Sequence, residues 1–91
     1  MSMRWLFEVI QSRRENPSED SYTSRLLVEG LPKIAQKLGE EATETVVAAL
    51  AQDDQRLIEE VADLTYHTLV LLAARGLTPA DVEAELEKRH K

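Results

Sequence analysis

The chain has 91 residues, and 17 acidic against 11 basic side chains give it a formal net charge of −6. This length favours one small domain with a thin core, and the absence of cysteine excludes disulfides, thiolate metal sites and cysteine nucleophiles. The acidic balance disfavours non-specific binding to nucleic acid, and no apolar run suits a signal peptide or a membrane span. We therefore expect a single cytoplasmic domain over residues 1–91 that binds neither nucleic acid nor a membrane.

The first half of the chain contains two predicted helices separated by residues that break helices. An amphipathic pattern predicts the first helix from about Arg4 to Glu15, followed by a breaker cluster at residues 16–20. A short second helix is expected over residues 22–29, with Gly30 as its cap. The apolar stripe of the first helix is predicted to consist of Trp5, Leu6, Val9 and Ile10.

Three further helices are predicted in the second half of the chain. Pro32 suits the first turn of a helix that continues to about Ala51. An N-cap at Asp53 or Asp54 opens a fourth helix that runs to about residue 75 and is closed by Gly76. The Thr-Pro-Ala-Asp sequence at residues 78–81 has the cap chemistry that begins a last helix. The predicted fold class is therefore all-α, a bundle of short helices.

The fourth predicted helix is apolar on nearly every face between Leu64 and Ala74. A helix with this pattern has to be covered on all sides, and a few short helices seldom achieve that. A second copy of the chain is the simplest cover, so we expect a homodimer or a higher homo-oligomer. The alternative is a central helix that a single chain wraps completely.

The third and fourth helices carry six clustered carboxylates, a number equal to the net negative charge of the chain. They are Glu40, Glu41, Glu44, Glu59, Glu60 and Asp63. Helical angles place Ile34, Leu38, Ala42, Val46 and Ala49 on the apolar face of the third helix, and Leu57, Val61, Leu64, Thr65 and Leu72 on that of the fourth. Most of the acids then border these apolar faces. They either form solvated stripes on the surface or bind a cation.

Antiparallel packing of the two helices would bring Glu41 and Glu44 opposite Glu60 and Asp63. Four carboxylates facing one another repel strongly without a cation. Ligand sets made only of oxygen suit hard cations such as Mg²⁺ or Mn²⁺. The spacing therefore indicates a divalent-metal site, although acid pairs three residues apart are common in acidic chains.

Several tracts resemble the phosphoribosyl-ATP pyrophosphatase family, which belongs to the all-α, MazG-like nucleotide pyrophosphohydrolases and performs the second step of histidine biosynthesis. The tracts are residues 21–27, Lys33–Glu44 (KIAQKLGEEATE), Glu59–His67 (EEVADLTYH) and residues 69–77. Together they extend the resemblance over roughly residues 6–86. We expect the stand-alone form of the family, without the phosphoribosyl-AMP cyclohydrolase domain of its bifunctional relatives.

The resemblance implies Mg²⁺-dependent hydrolysis of the α–β phosphoanhydride of phosphoribosyl-ATP, which gives phosphoribosyl-AMP and pyrophosphate. By the family pattern, the metal ligands would be Glu41, Glu44, Glu60 and Asp63. Glu40 is a candidate supporting ligand or water-orienting base, so the expected catalytic residues are Glu40 and Glu41.

Cationic and hydroxyl side chains are candidates for binding the substrate. Lys37 would reach a phosphate, or else pair with Glu41 one turn away. Arg25 is either a phosphate contact or a solvated side chain beside an ordinary cap. The complete set of candidates is Ser21, Tyr22, Thr23, Arg25, Lys33 and Lys37.

His67 is one turn after Asp63 and is a candidate partner of that ligand or a general acid. The alternative is a hydrogen-bonded interior histidine. Two other functions stay open from the residues alone: a house-cleaning MazG-like nucleotide pyrophosphatase and a non-catalytic acidic module that binds a basic partner.

Overall fold

A computed structural model describes residues 1–90, and it places them in five α-helices without a strand. The helices are α1 (Met3–Glu15), α2 (Tyr22–Glu29), α3 (Leu31–Ala51), α4 (Asp54–Ala74) and α5 (Pro79–Arg89). The all-α prediction is confirmed, and the helix ends that were predicted lie within about one residue of those observed. Within residues 1–90, no helix has the length and apolarity that crossing a membrane requires.

Local chemistry explains where the helices begin and end. The side chains of Ser21, Asp53 and Thr78 each accept a hydrogen bond from the backbone N–H three residues further on, at the start of α2, α4 and α5. These bonds satisfy donors that a helix leaves free in its first turn. Gly30 has a φ of 92° and Gly76 a φ of 72°, which favours glycine at these two helix ends.

The α3–α4 hairpin is the main packing unit of the fold, and α1 and α2 lie against it. Its two long helices are antiparallel and are connected by a tight link at Gln52 and Asp53. Fully buried side chains from α1, α2, α3 and α4 meet in one core, at Ile10, Leu26, Ile34 and Val70. In contrast, α5 contains no buried residue. The hairpin is therefore the frame on which opposing side chains of α3 and α4 are positioned.

The predicted apolar stripe of α1 is partly wrong. Trp5 is 50% exposed, whereas Phe7 is buried beside Ile10. The cause is an almost continuous apolar run from residue 5 to residue 10, which is compatible with more than one helical phase. In the structure, the buried face of α1 is the one that includes Phe7.

The predicted inner faces of α3 and α4 are also only partly correct. On α4 the buried positions include His67 and Val70, while Val61 is 44% exposed. On α3, Glu41 is buried and Val46 is 57% exposed. Because these helices have apolar side chains on opposite faces, periodicity could not show which face the same chain covers. Glu41 and Glu60, predicted at the border, consequently lie closer to the interior than expected, whereas Glu44 and Asp63 are exposed.

Replacing Val70 with alanine tests the core. Val70 is fully buried, so we expect Val70→Ala to lower the free energy of unfolding by about 2 kcal/mol, through lost apolar burial and the remaining cavity. Val28→Ala removes the same atoms from a side chain that is 78% exposed, and we expect a change below about 0.5 kcal/mol. Urea unfolding at one fixed protein concentration measures both variants. Equal losses would contradict the assigned core.

Candidate metal centre

Three carboxylates converge on the facing sides of α3 and α4. Glu41, Glu60 and Asp63 each offer an oxygen atom, and these atoms lie within 4.8 Å of one another. Glu41 is 7% exposed and Glu60 is 5% exposed, whereas Asp63 is open to solvent. The antiparallel hairpin creates this meeting, because a residue of α3 faces the α4 residue at the same distance from the turn. We call these three residues the acid cluster.

Two oxygens of the acid cluster lack any hydrogen-bond partner among the described residues. They are Oε2 of Glu41 and Oε2 of Glu60, and both are buried. A buried carboxylate oxygen without a partner costs free energy, because it has lost its water and gained nothing in return. A cation between the two helices would satisfy both oxygens, and an all-oxygen donor set fits a hard divalent ion. The residues present therefore fit Mg²⁺ or Mn²⁺.

Glu44 lies at the edge of the acid cluster and next to Glu60. The close approach of the Glu44 carboxyl group, together with the burial of Glu60, raises the pKa of Glu60, and Arg56 only partly opposes this effect. The structure thus brings three of the four acids of the family pattern into one cluster, and the fourth, Glu44, is exposed and lies beside Glu60.

Arg56 is the contact that sequence reasoning missed. Its Nη2 donates a hydrogen bond to Oε1 of Glu60 at 2.6 Å, and its Nη1 donates to Oε1 of Glu59, also at 2.6 Å. The available signal was the four-residue separation of Arg56 and Glu60, which places the two side chains on one helix face. This spacing did not stand out among the other charged pairs of the chain.

Lys37 and Glu40 form an ion pair beside the acid cluster, with Lys37 Nζ 3.5 Å from Oε2 of Glu40. Glu40 is exposed and lies outside the cluster, and a hydrogen bond from Gln36 followed by the contact with Lys37 lowers its pKa. Lys33, half-buried, adds positive charge near Glu40. Burial disfavours the charged form of Lys37, but Tyr22 and Glu40 outweigh that effect and raise its pKa. Lys37 therefore stays cationic at one end of the cluster.

His67 connects Tyr22 to the backbone of the acid cluster. The carbonyl oxygen of Asp63 can only accept, so Nδ1 of His67 carries the hydrogen that donates to it at 2.8 Å. In the neutral ring, Nε2 then accepts from the hydroxyl of Tyr22 at 3.1 Å. His67 is 5% exposed and Tyr22 is 43% exposed. The histidine thus lies in the interior, where it holds the Tyr22 hydroxyl on the same side as Lys37.

The remaining substrate-binding candidates on α2 make other contacts. Ser21 caps the helix, and the Thr23 hydroxyl bonds with that of Tyr66. Arg25 Nη1 donates to the backbone carbonyl of Glu19 at 2.7 Å. Within residues 1–90, none of these three side chains forms a hydrogen bond with the acid cluster.

The pKa of Glu60 predicts an unusual pH dependence. Because Glu44 and burial raise this pKa, the folded metal-free chain holds a proton that the unfolded chain releases above about pH 4.3. Stability therefore falls as pH rises from this value through the raised pKa. We expect Glu60→Gln to melt at a higher temperature than the wild type at pH 7 in EDTA, and the difference to vanish near pH 4.

Glu59→Gln is the matched control for this measurement. Hydrogen bonds from Gln55 and then Arg56 lower the pKa of Glu59, so its ionised form stabilises the fold above its unfolded pKa. We expect this neighbouring substitution to lower the melting temperature at pH 7. If calorimetry gave both variants the same sign, the assigned difference between Glu59 and Glu60 would be wrong.

Comparisons with known proteins identify the family of this chain. A profile of the phosphoribosyl-ATP pyrophosphohydrolase family matches residues 3–90. The phosphoribosyl-ATP pyrophosphatase of Pyrobaculum calidifontis is 57% identical over 86 residues, which are 94% of this chain and 92% of that protein. The protein of the same name from Parvibaculum lavamentivorans is 56% identical over 92% of this chain and 77% of its own length. The chain therefore belongs to the phosphoribosyl-ATP pyrophosphohydrolase family, a family of hydrolases.

Proposed function

We propose that this chain hydrolyses phosphoribosyl-ATP to phosphoribosyl-AMP and pyrophosphate, the second step of histidine biosynthesis, with Mg²⁺ as its metal and Mn²⁺ as a substitute. Water adds across the α–β phosphoanhydride, and pyrophosphate leaves. The observation that carries the proposal is the pair of buried, unpartnered oxygens on Glu41 and Glu60, in a chain of this family. A cytoplasmic location belongs to the same proposal.

Glu41, Glu44, Glu60 and Asp63 are the proposed metal ligands. Mg²⁺ bound there would neutralise phosphate oxygens and lower the pKa of a water molecule. The two buried ligands are held by the packing of the hairpin, so their oxygens are positioned before the ion arrives. The exposure of Asp63 and Glu44 leaves one side of the cluster open for a phosphate group.

In our proposal, polar residues beside the acid cluster bind and orient the substrate. Lys37 supplies a positive charge for a phosphate oxygen, and Glu40 holds the lysine in place through their ion pair. Tyr22 presents a hydroxyl whose direction is fixed by His67. Because Glu40 lies outside the acid cluster, orienting the attacking water falls to Glu41 rather than to Glu40.

Removing a single ligand tests the proposed activity. We expect Glu41→Gln and Asp63→Asn each to lower the rate of pyrophosphate release from phosphoribosyl-ATP by about 100-fold or more, because each variant loses an anionic ligand. Both variants should stay folded by circular dichroism, since each also relieves repulsion within the cluster.

The wild type with Mg²⁺, the wild type with EDTA, and Glu85→Gln are the controls. Glu85 is a glutamate of α5 that pairs with Arg89 away from the cluster, and its replacement should leave the rate unchanged. ATP and dUTP serve as alternative substrates. Turnover of dUTP but not of phosphoribosyl-ATP would contradict the proposed substrate, and full activity in EDTA would contradict the metal.

We also propose that two copies of the chain associate through the open face of α4. A groove of about 570 Å³ runs between the start of α1, the outer face of α4 and α5. Its α4 wall consists of Leu64, Thr65, Thr68, Leu69 and Leu72. The same chain buries Leu69 but covers Leu64, Thr65 and Leu72 only in part, and it leaves Thr68 exposed. A second copy would bury the groove and add to the thin core.

Thr68→Arg tests this association, because Thr68 is exposed in the single chain and lies in the groove. We expect the substitution to shift the protein from dimer to monomer in sedimentation velocity, since a partner would bury the added charge. Ser12→Arg places the same charge on an exposed position of α1 outside the groove and should leave the dimer intact. An unchanged dimer in Thr68→Arg would exclude this face.

A further inference from the structure

Arg56 occupies a helix position that is electrostatically unfavourable for a positive charge. It is the third residue of α4 after the Asp53 cap, in the turn where the helix carries partial positive charge. A cation is unfavourable there unless a nearby anion compensates it. Glu59 and Glu60 provide that compensation, each at 2.6 Å from the guanidinium. The contacts with the acids, rather than the helix, therefore account for the position of the arginine.

The two carboxylates that Arg56 contacts are in different environments. Glu59 is half-exposed, with 47% of its side chain open to solvent, whereas the side chain of Glu60 is 6% exposed. The exposed pair of Arg56 with Glu59 therefore contributes little to the stability of the fold. The pair with Glu60 partly compensates a buried charge that faces Glu44. Arg56 thus occupies one oxygen of Glu60, while the other oxygen is buried without a partner.

Arg56 is the one side chain of residues 1–90 that forms a salt bridge with a member of the acid cluster. Lys37, the other cation nearby, pairs with Glu40 instead. A divalent ion bound to Glu41, Glu60 and Asp63 would lie within a few ångströms of the guanidinium. The ion and the arginine therefore compete for the same negative charge, and each weakens the binding of the other.

We infer that Arg56 is an internal counter-cation of the metal site: it stabilises the metal-free fold by pairing with Glu60, and by the same contact it weakens divalent-metal binding. This inference rests on the proposed function, because it takes the acid cluster as the metal site. It makes Arg56 a residue that sets metal affinity rather than a catalytic residue. Release of metal would then leave Glu60 paired instead of bare.

The experiment is a titration of each protein with Mn²⁺, in which electron paramagnetic resonance measures the free ion. We expect Arg56→Gln to bind Mn²⁺ about three- to thirty-fold more tightly than the wild type, because a positive charge beside the ion has been removed. Arg56→Lys keeps the charge and should stay within about twofold of the wild type. Arg89→Gln breaks an exposed Arg–Glu pair on α5 and should bind as the wild type does.

Melting temperatures provide a second readout that does not depend on activity. In EDTA, Arg56→Gln should melt below the wild type, since Glu60 loses its partner. Saturating Mn²⁺ should then raise its melting temperature by more than it raises that of the wild type. The substitution should not prevent folding, because glutamine is acceptable in the first turn of a helix and Arg56 is 48% exposed.

The outcomes separate the inference from the proposed function. If the wild type bound no Mn²⁺, the proposed metal site would fail and the inference with it. If the wild type bound Mn²⁺ and Arg56→Gln bound it equally or more weakly, only the counter-cation inference would be overturned. If Arg56→Lys tightened binding as much as Arg56→Gln, the effect would come from the shape of the guanidinium, and the charge argument would be wrong.

Discussion

The burial of like charges between two antiparallel helices is the constraint on which the rest of this structure depends. Glu41 and Glu60 are among the most buried polar residues of the chain, and each has an oxygen without a partner. Folding such a pair costs free energy unless a cation, a proton or a cationic side chain compensates it. In this chain, Arg56 takes part of that role, and the raised pKa of Glu60 takes another part. A divalent ion would complete the compensation.

The fold places this unfavourable arrangement on the same two helices that carry the fully buried core. The α3–α4 hairpin is braced by a core in which Ile34 of α3 and Val70 of α4 are fully buried. The apolar burial there holds the two helices together about two to three turns away from Glu41 and Glu60. The hairpin also sets the order of the site: Lys37, Tyr22 and His67 lie towards one end of the acid cluster, and Arg56 lies towards the turn. In our proposals, substrate binding and control of metal affinity therefore fall at opposite ends of the acid cluster.

The sequence predicted the helices well because their ends depend on local chemistry. Thr78 and Asp81 form a capping box, and Gly30 adopts a positive φ, both of which follow from residue type. The helix phases were harder to predict. α4 is apolar on two faces, and choosing the face that packs within the chain requires knowing where α1 and α2 lie. The exposure of Trp5 and Val61 has the same origin, because a short chain cannot cover every apolar side chain that it carries.

The site was predictable to a similar extent. The grouping of Glu41, Glu60 and Asp63 follows from antiparallel pairing of two acidic helix stripes, and that pairing could be anticipated from spacing. The role of Arg56 could not, since its Glu60 contact depends on the rotamer of a long side chain. Likewise, the contact between Tyr22 and His67 joins residues 45 positions apart, on α2 and α4. No local pattern encodes a contact of that range.

The most direct test of the metal site is an anomalous-difference map from crystals of the wild-type protein soaked with Mn²⁺. We expect a strong peak between α3 and α4, bounded by carboxylate oxygens of Glu41, Glu60 and Asp63, with Glu44 at its edge. A peak at a different acidic group, or no peak at the acid cluster with Mn²⁺ bound elsewhere, would contradict the claim that these buried carboxylates form the metal site.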